Sequence, residues 1–227
     1  MSAPLDAQPL EALVYDPPEK ATASVIVLHG LGADGNDFVP VMGEFDLAKV
    51  GPVRFVFPHA PVIPVTINNG YRMRAWYDII GTDLVRREDE AGLRRSLISV
   101  GGLIDHERAA GIPAERIVLM GFSQGCAMTL LTGLRYPQRL AGLIGLSGYL
   151  PLADTLEAEA APANRDVPIF LAHGTQDPVV PLARGTATRD RLVAAGYPVE
   201  WHEYPMPHSV SPQEIADINR WLLKVLG

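Results

Sequence analysis

Residues 116–125, RIVLMGFSQG, decide how the rest of the chain is read. An apolar run over Arg116–Phe122 ends in Gly121-Phe122-Ser123-Gln124-Gly125, and a helix-forming stretch, Gln124–Arg135, follows at once. A serine two residues from glycine on either side, at a strand-to-helix turn, has the pattern of a nucleophile elbow. Such a serine sits in strained backbone, so the flanking positions must be small enough for strand and helix to approach closely. The start of the helix also points its unpaired N–H groups and positive dipole end at the same spot, which favours an oxyanion. Gly145-Leu146-Ser147-Gly148 is the nearest competitor, but it lacks the second spaced glycine and no helical pattern follows it. Ser147 therefore reads as a strand-end residue.

Outward from this turn, short runs rich in Val, Ile and Leu alternate with longer amphipathic stretches. That alternation predicts an α/β fold with a mostly parallel sheet and helices on both faces. Strands are expected at Ser24–His29, Val53–Phe57, Arg116–Phe122, Leu140–Leu146, Pro168–Ala172 and Val199–Tyr204, with a weaker one at Leu10–Tyr15. Continuous apolar runs of this length suit buried parallel strands. Leu93, Leu97, Val100, Leu103 and Ile104 recur at helical spacing within Arg86–Ala110, which stops at Gly111-Ile112-Pro113. Further helices are expected at Gln124–Arg135, Leu182–Ala195 and Pro212–Val225. His59–Ile80 and Gly148–Val167 carry no clear period and read as long connections, a kind of segment that often carries function. The 227 residues are the size of one domain, expected to span 1–227.

Composition narrows the function. Lys and Arg total 19 against 26 Asp and Glu, a net charge of −7, and the basic residues form no run, so nucleic acid is a poor partner. No apolar run approaches the roughly 18 residues of a membrane span, and residues 1–20 lack a basic-then-apolar signal pattern. A cytoplasmic enzyme without membrane insertion is the expectation. The single cysteine, Cys126, permits no internal disulfide, and no Cys or His pair has metal-ligand spacing.

A serine hydroxyl needs a histidine to take its proton and a carboxylate to fix that histidine's tautomer, and in this arrangement they follow in the order acid, then base. Asp177 lies just past the run PIFLA, and His208 lies between the last strand and the last helix; both fall at the carboxyl edge of the expected sheet. Asp154 and Asp166 belong to the Ala/Pro-rich connection, His202 alternates within a strand, and His173 precedes the acid. His29, His59 and His106 all precede the serine and read as structural residues. A second glycine turn, His29-Gly30-Leu31-Gly32-Ala33-Asp34-Gly35, follows the strand ending at His29, where this fold supplies its other oxyanion donor. Its spacing also matches a dinucleotide fingerprint, but Phe38–Phe45 is a poor helix start, and the elbow gives the better account.

With these pieces in place, the sequence resembles the bacterial carboxylesterase and phospholipase family that includes the acyl-protein thioesterases. The matching segments are LHGLGADG (Leu28–Gly35), FPHAP (Phe57–Pro61), WYDI (Trp76–Ile79), GFSQG (Gly121–Gly125), HGTQDPVVP (His173–Pro181) and the turn Tyr204–His208. The resemblance implies an α/β-hydrolase fold, a triad of Ser123, Asp177 and His208, and an oxyanion hole from the backbone N–H groups of Leu31 and Gln124. It also implies short- to medium-chain carboxylic esters, lysophospholipids or acyl thioesters as substrates, no metal and no organic cofactor, and an occasional homodimer. Met73, Trp76 and Val180 look similar to the family's groove-lining residues, with core packing as the competing reading. Two positions depart from the pattern: Cys126 and Pro207 stand where the family usually has glycine. Cys126 reads as a small residue packing helix on sheet, whereas Pro207 stiffens the turn that carries His208. A catalytically silent binding protein on the same scaffold is the reading from another class.

Overall fold

Each apolar run forms a strand, and the strands join into one sheet. The computed structural model describes residues 10–81 and 88–227. Seven strands, β1 (Ala12–Tyr15), β2 (Ala23–Leu28), β3 (Val53–Pro58), β6 (Ile117–Phe122), β7 (Gly142–Leu146), β8 (Ile169–Gly174) and β9 (Val199–Tyr204), stand in the order β1-β3-β2-β6-β7-β8-β9. Only β1 runs antiparallel, against β3; the other pairings are parallel. The ends of β2, β6, β8 and β9 therefore share one edge.

Alternation along these strands splits the core in two. Ile26, Leu28, Leu119, Leu143 and Ile169 face one cluster, which contains Leu93, Val100 and Ile104 of the helix Glu90–Ala109 (α2), Ala127 and Leu130 of Gln124–Gly133 (α3), and Leu192 of Leu182–Ala194 (α5). Their neighbours Val25, Val27, Val118, Met120, Ile144 and Phe170 face the other, with Phe38, Leu47 and, from Pro212–Leu226 (α6), Ile218, Trp221 and Leu222. Burial on both faces explains why the inner strands β2, β6, β7 and β8 read as apolar runs.

The differences from expectation fall at ends and in the two long connections. The strand expected to stop at Ala172 continues to Gly174, because His173 and Gly174 stay in register with Glu203 and Tyr204. The strand expected from Leu140 begins at Gly142, Leu140 having given its N–H to the Asn164 side chain. α2 starts at Glu90, where Asp89 accepts the Gly92 N–H; the expected helical residues Arg86 and Arg87 lie outside the described part. His59–Ile80 contains an antiparallel hairpin of β4 (Val62–Val65) and β5 (Tyr71–Arg74), turned by Asn69 at φ 54° and Gly70 at φ 75°. Pro64 hid β4 from a propensity reading, and a two-stranded ribbon tolerates it because each strand has an unpaired edge. In Gly148–Val167 one short helix, Leu156–Glu159 (α4), is held by Arg135, which donates to Glu159, Thr155 and the Leu152 carbonyl. Only a single-turn helix, Val39–Met42 (α1), follows the glycine turn after β2, which leaves the dinucleotide reading without the long helix it needs.

Candidate active site

Ser123 joins β6 to α3 at φ 56° and ψ −116°, a conformation that a side-chain-bearing residue adopts only under constraint. The constraint is steric and local. A Cβ on Gly121 would lie 2.2 Å from the Gly125 carbonyl oxygen, and one on Gly125 would lie 2.0 Å from the Leu28 carbonyl oxygen. The Ser123 N–H donates to the Leu146 carbonyl at 2.9 Å, which ties the turn to β7. Ser147 also has positive φ, at 48°, but it is fully buried at the end of β7.

Beyond β8, Asp177 is fixed from two sides. Its Oδ1 accepts the Val179 and Val180 N–H groups, each at 2.8 Å, so the carboxylate is oriented by its own loop. Its Oδ2 lies 2.6 Å from His208 Nδ1. The Asp177 side chain is wholly buried, whereas 15% of the His208 side chain is exposed. A proton on Nδ1 shared with Asp177 leaves the basic electron pair on Nε2. The Phe122 ring packs on the imidazole with centroids 4.7 Å apart. His173, fully buried, sends Nε2 to the Val180 carbonyl at 2.8 Å and so braces the Asp177 loop from below. Pro207 is exposed and its carbonyl accepts the Ser209 N–H, a turn compatible with the short His208–Asp177 contact.

The glycine turn after β2 lies against the serine: a Cβ on Gly30 would sit 3.4 Å from Ser123 Cβ. The backbone N–H groups of Leu31 and Gln124 have no hydrogen-bond partner among the described residues. His29 is buried and accepts the Ala60 N–H at Nε2 (3.0 Å), so its ring proton sits on Nδ1 and goes to the Gly30 carbonyl at 2.7 Å. Burial lowers its pKa and the bond to Gly30 opposes the shift, leaving a neutral ring.

Met73 is half-buried, with its sulfur 3.6 Å from where a Cβ on Gly32 would stand. Trp76 is 1% exposed and Val180 5%, so both belong to the core beneath the edge and offer a ligand little surface. Cys126 is also buried, packed against Gly145 and Gly148, and burial pushes its thiol up to about 12. Among the described residues no cluster of three or more His, Cys, Asp or Glu side chains is placed to hold a metal ion. A cleft of about 730 Å³ lined by Arg139, Trp221 and Lys224 lies at the opposite, amino edge of the sheet, far from this chemistry.

Two neighbours of the site escaped the sequence reading, the Gln124 carboxamide, which bonds to the Trp76–Tyr77 backbone, and Phe122 over His208, whereas His29 is the structural residue expected of it. Only the position of Gln124 and Phe122 inside the motif hinted at them; their partners are distant in sequence.

Residues 10–226 match the model of the phospholipase/carboxylesterase family. Acyl-protein thioesterase 1 of Gibberella zeae is 41% identical, over 94% of this chain and 95% of the relative. Acyl-protein thioesterase 1 of Schizosaccharomyces pombe is 43% identical over 81% of each. The crystal structure of Arabidopsis thaliana SOBER1 superposes with a TM-score of 0.86 at 33% identity, covering 90% of this chain and 99% of that one. With relatives in fungi and a plant, the family is not confined to bacteria.

Proposed function

Since the chain belongs to the phospholipase/carboxylesterase family, we propose that it is a serine hydrolase that cleaves acyl thioesters through an acyl-enzyme at Ser123. The observation that carries the proposal is the 2.6 Å contact of Asp177 with His208 at the sheet edge that also bears a positive-φ serine, in the chain order serine, acid, base. His208 Nε2 takes the proton of Ser123 Oγ as the oxygen attacks the acyl carbon. The Leu31 and Gln124 N–H groups hold the resulting oxyanion. Collapse breaks the carbon–sulfur bond, and the thiol leaves with the proton from His208. Water, deprotonated by the same nitrogen, then attacks the acyl-serine and releases the carboxylic acid. Asp177 orients the imidazole and stabilises its cation throughout. Met73, beside the glycine turn, is the side chain assigned to the acyl chain; Trp76 and Val180 shape the wall from beneath.

The names of the fungal relatives favour the thioester as substrate. The family's description, phospholipase/carboxylesterase, favours the second reading, an esterase acting on oxygen esters. The proposed setting is the cytoplasm, and one domain carries the whole reaction. No helix among the described residues is long and apolar enough to cross a membrane.

Matched thioesters and oxygen esters of graded chain length, assayed side by side, test the assignment. A kcat/KM for thioesters at least tenfold above that for the oxygen esters supports it, and the reverse order transfers it to the second reading. A fluorophosphonate probe labels Ser123 stoichiometrically in a hydrolase; a silent scaffold stays unlabelled.

A further inference from the structure

The two N–H groups assigned to the oxyanion come from segments far apart in sequence, at Leu31 and Gln124, and one residue just past β5, Trp76, is bonded to both segments. Trp76 gives its backbone N–H to Gln124 Oε1 at 3.0 Å, while Gln124 Nε2 donates to the Tyr77 carbonyl at 2.9 Å. The Trp76 indole N–H donates to the His29 carbonyl at 2.9 Å, two residues before Leu31. The Trp76 carbonyl accepts the Ser96 hydroxyl of α2, so every polar group of this tryptophan is engaged. Gly32, on the other side of Leu31, donates its N–H to the Arg74 carbonyl at 2.8 Å. Gln124 is 4% exposed, which leaves its carboxamide no alternative partner in water.

We propose that the Gln124 side chain is a positioning group for the oxyanion hole: through Trp76 it sets the separation between its own backbone N–H and that of Leu31. It touches no substrate. Backbone donors stabilise an oxyanion only when held about 2.7–3.1 Å from where the charge develops, and a misplacement of about 1 Å costs on the order of a hundredfold. Donors on two separate turns need a rigid strut to keep that geometry. The carboxamide suits the strut because it meets an N–H and a carbonyl of adjacent residues at once. A carboxylate offers only acceptors and would repel the Tyr77 carbonyl; a protonated carboxyl restores the donor.

The inference rests on the hydrolase reading above, and the test separates the two. Gln124→Met and Gln124→Glu are made in the full chain and assayed on a short-chain p-nitrophenyl ester, with fluorophosphonate labelling of wild type as the check on the hydrolase itself. Gln124→Met is expected to lower kcat roughly 10- to 100-fold with KM within about twofold. Gln124→Glu is expected to lose as much at pH 8, and its activity relative to wild type to climb as the pH falls towards 6 and the buried carboxyl protonates. A purely structural glutamine predicts folded variants with kcat near wild type and a relative activity flat with pH, which overturns the proposal. If Gln124→Met does not fold, the pH course of Gln124→Glu decides alone. A wild type that neither labels nor hydrolyses removes the hydrolase reading, and this inference with it.

Discussion

Ser123 and Asp177 differ in what their surroundings ask of them. The serine is held by glycines whose every substituent would collide with backbone, whereas the aspartate is held by hydrogen bonds that a neutral amide would reverse. Ser123→Ala keeps the turn and removes only Oγ, so kcat is expected to fall on the order of a thousandfold or more with the thermal midpoint unchanged, read by steady-state hydrolysis and calorimetry. Asp177→Asn leaves the shape intact but presents an N–H to His208 Nδ1 or to the Val179 and Val180 N–H groups, which now point at Oδ1. A loss of about 10⁴ in kcat is expected from the wrong imidazole tautomer, and a variant within tenfold of wild type would remove Asp177 from the proposed triad. Cys126, departing from the family pattern, is a packing residue: its thiol is held at about 12 by burial. Native protein is therefore expected to resist thiol-specific alkylation that unfolded protein undergoes at once.

Among the elements, α6 follows the loop that carries His208 and contains the titration most open to experiment. Ser211 and Glu214 form a reciprocal capping box at its N-terminus, the Ser211 N–H donating to Glu214 Oε2 at 3.3 Å and the Glu214 N–H to Ser211 Oγ at 3.2 Å. Glu214 is fully buried, its Oε1 has no partner among the described residues, and burial raises its pKa from 4.5 to about 7. The folded state thus binds the proton more tightly than the unfolded chain. This group makes stability fall as pH rises from about 4.5 through about 7, by on the order of 3 kcal/mol, and makes no further change above that. Gln at this position cannot titrate, so denaturant midpoints of Glu214→Gln are expected to be flatter between pH 5 and 8; an unchanged slope would place the titration elsewhere. Helix spacing foretold α2, α3, α5 and α6 to within a few residues. β4 was illegible because Pro64 interrupts it, and α4 because its anchor, Arg135, is donated by the end of another helix.

For the molecule as a whole, the decisive property is a parallel sheet with both faces buried, so that strand ends gather distant residues on one edge. Leu119, fully buried in the middle of β6, packs in the cluster shared with α2 and α3. Leu119→Ala is expected to cost about 2–5 kcal/mol in urea unfolding while kcat per folded molecule changes little, since the elbow lies at the strand's end. What the sequence by itself determined was the α/β class, the elbow and the chain order of Ser123, Asp177 and His208. Those features rest on local physics: apolar periodicity, the smallness of glycine at a strained turn, and the placement of loops after strands. The tertiary structure alone decided that His208 meets Asp177, that Trp76 and Val180 lie in the core, and that Gln124 and His29 brace one loop. Each of those outcomes depends on contacts between segments far apart along the chain, and only the register of parallel strands fixes which of them meet.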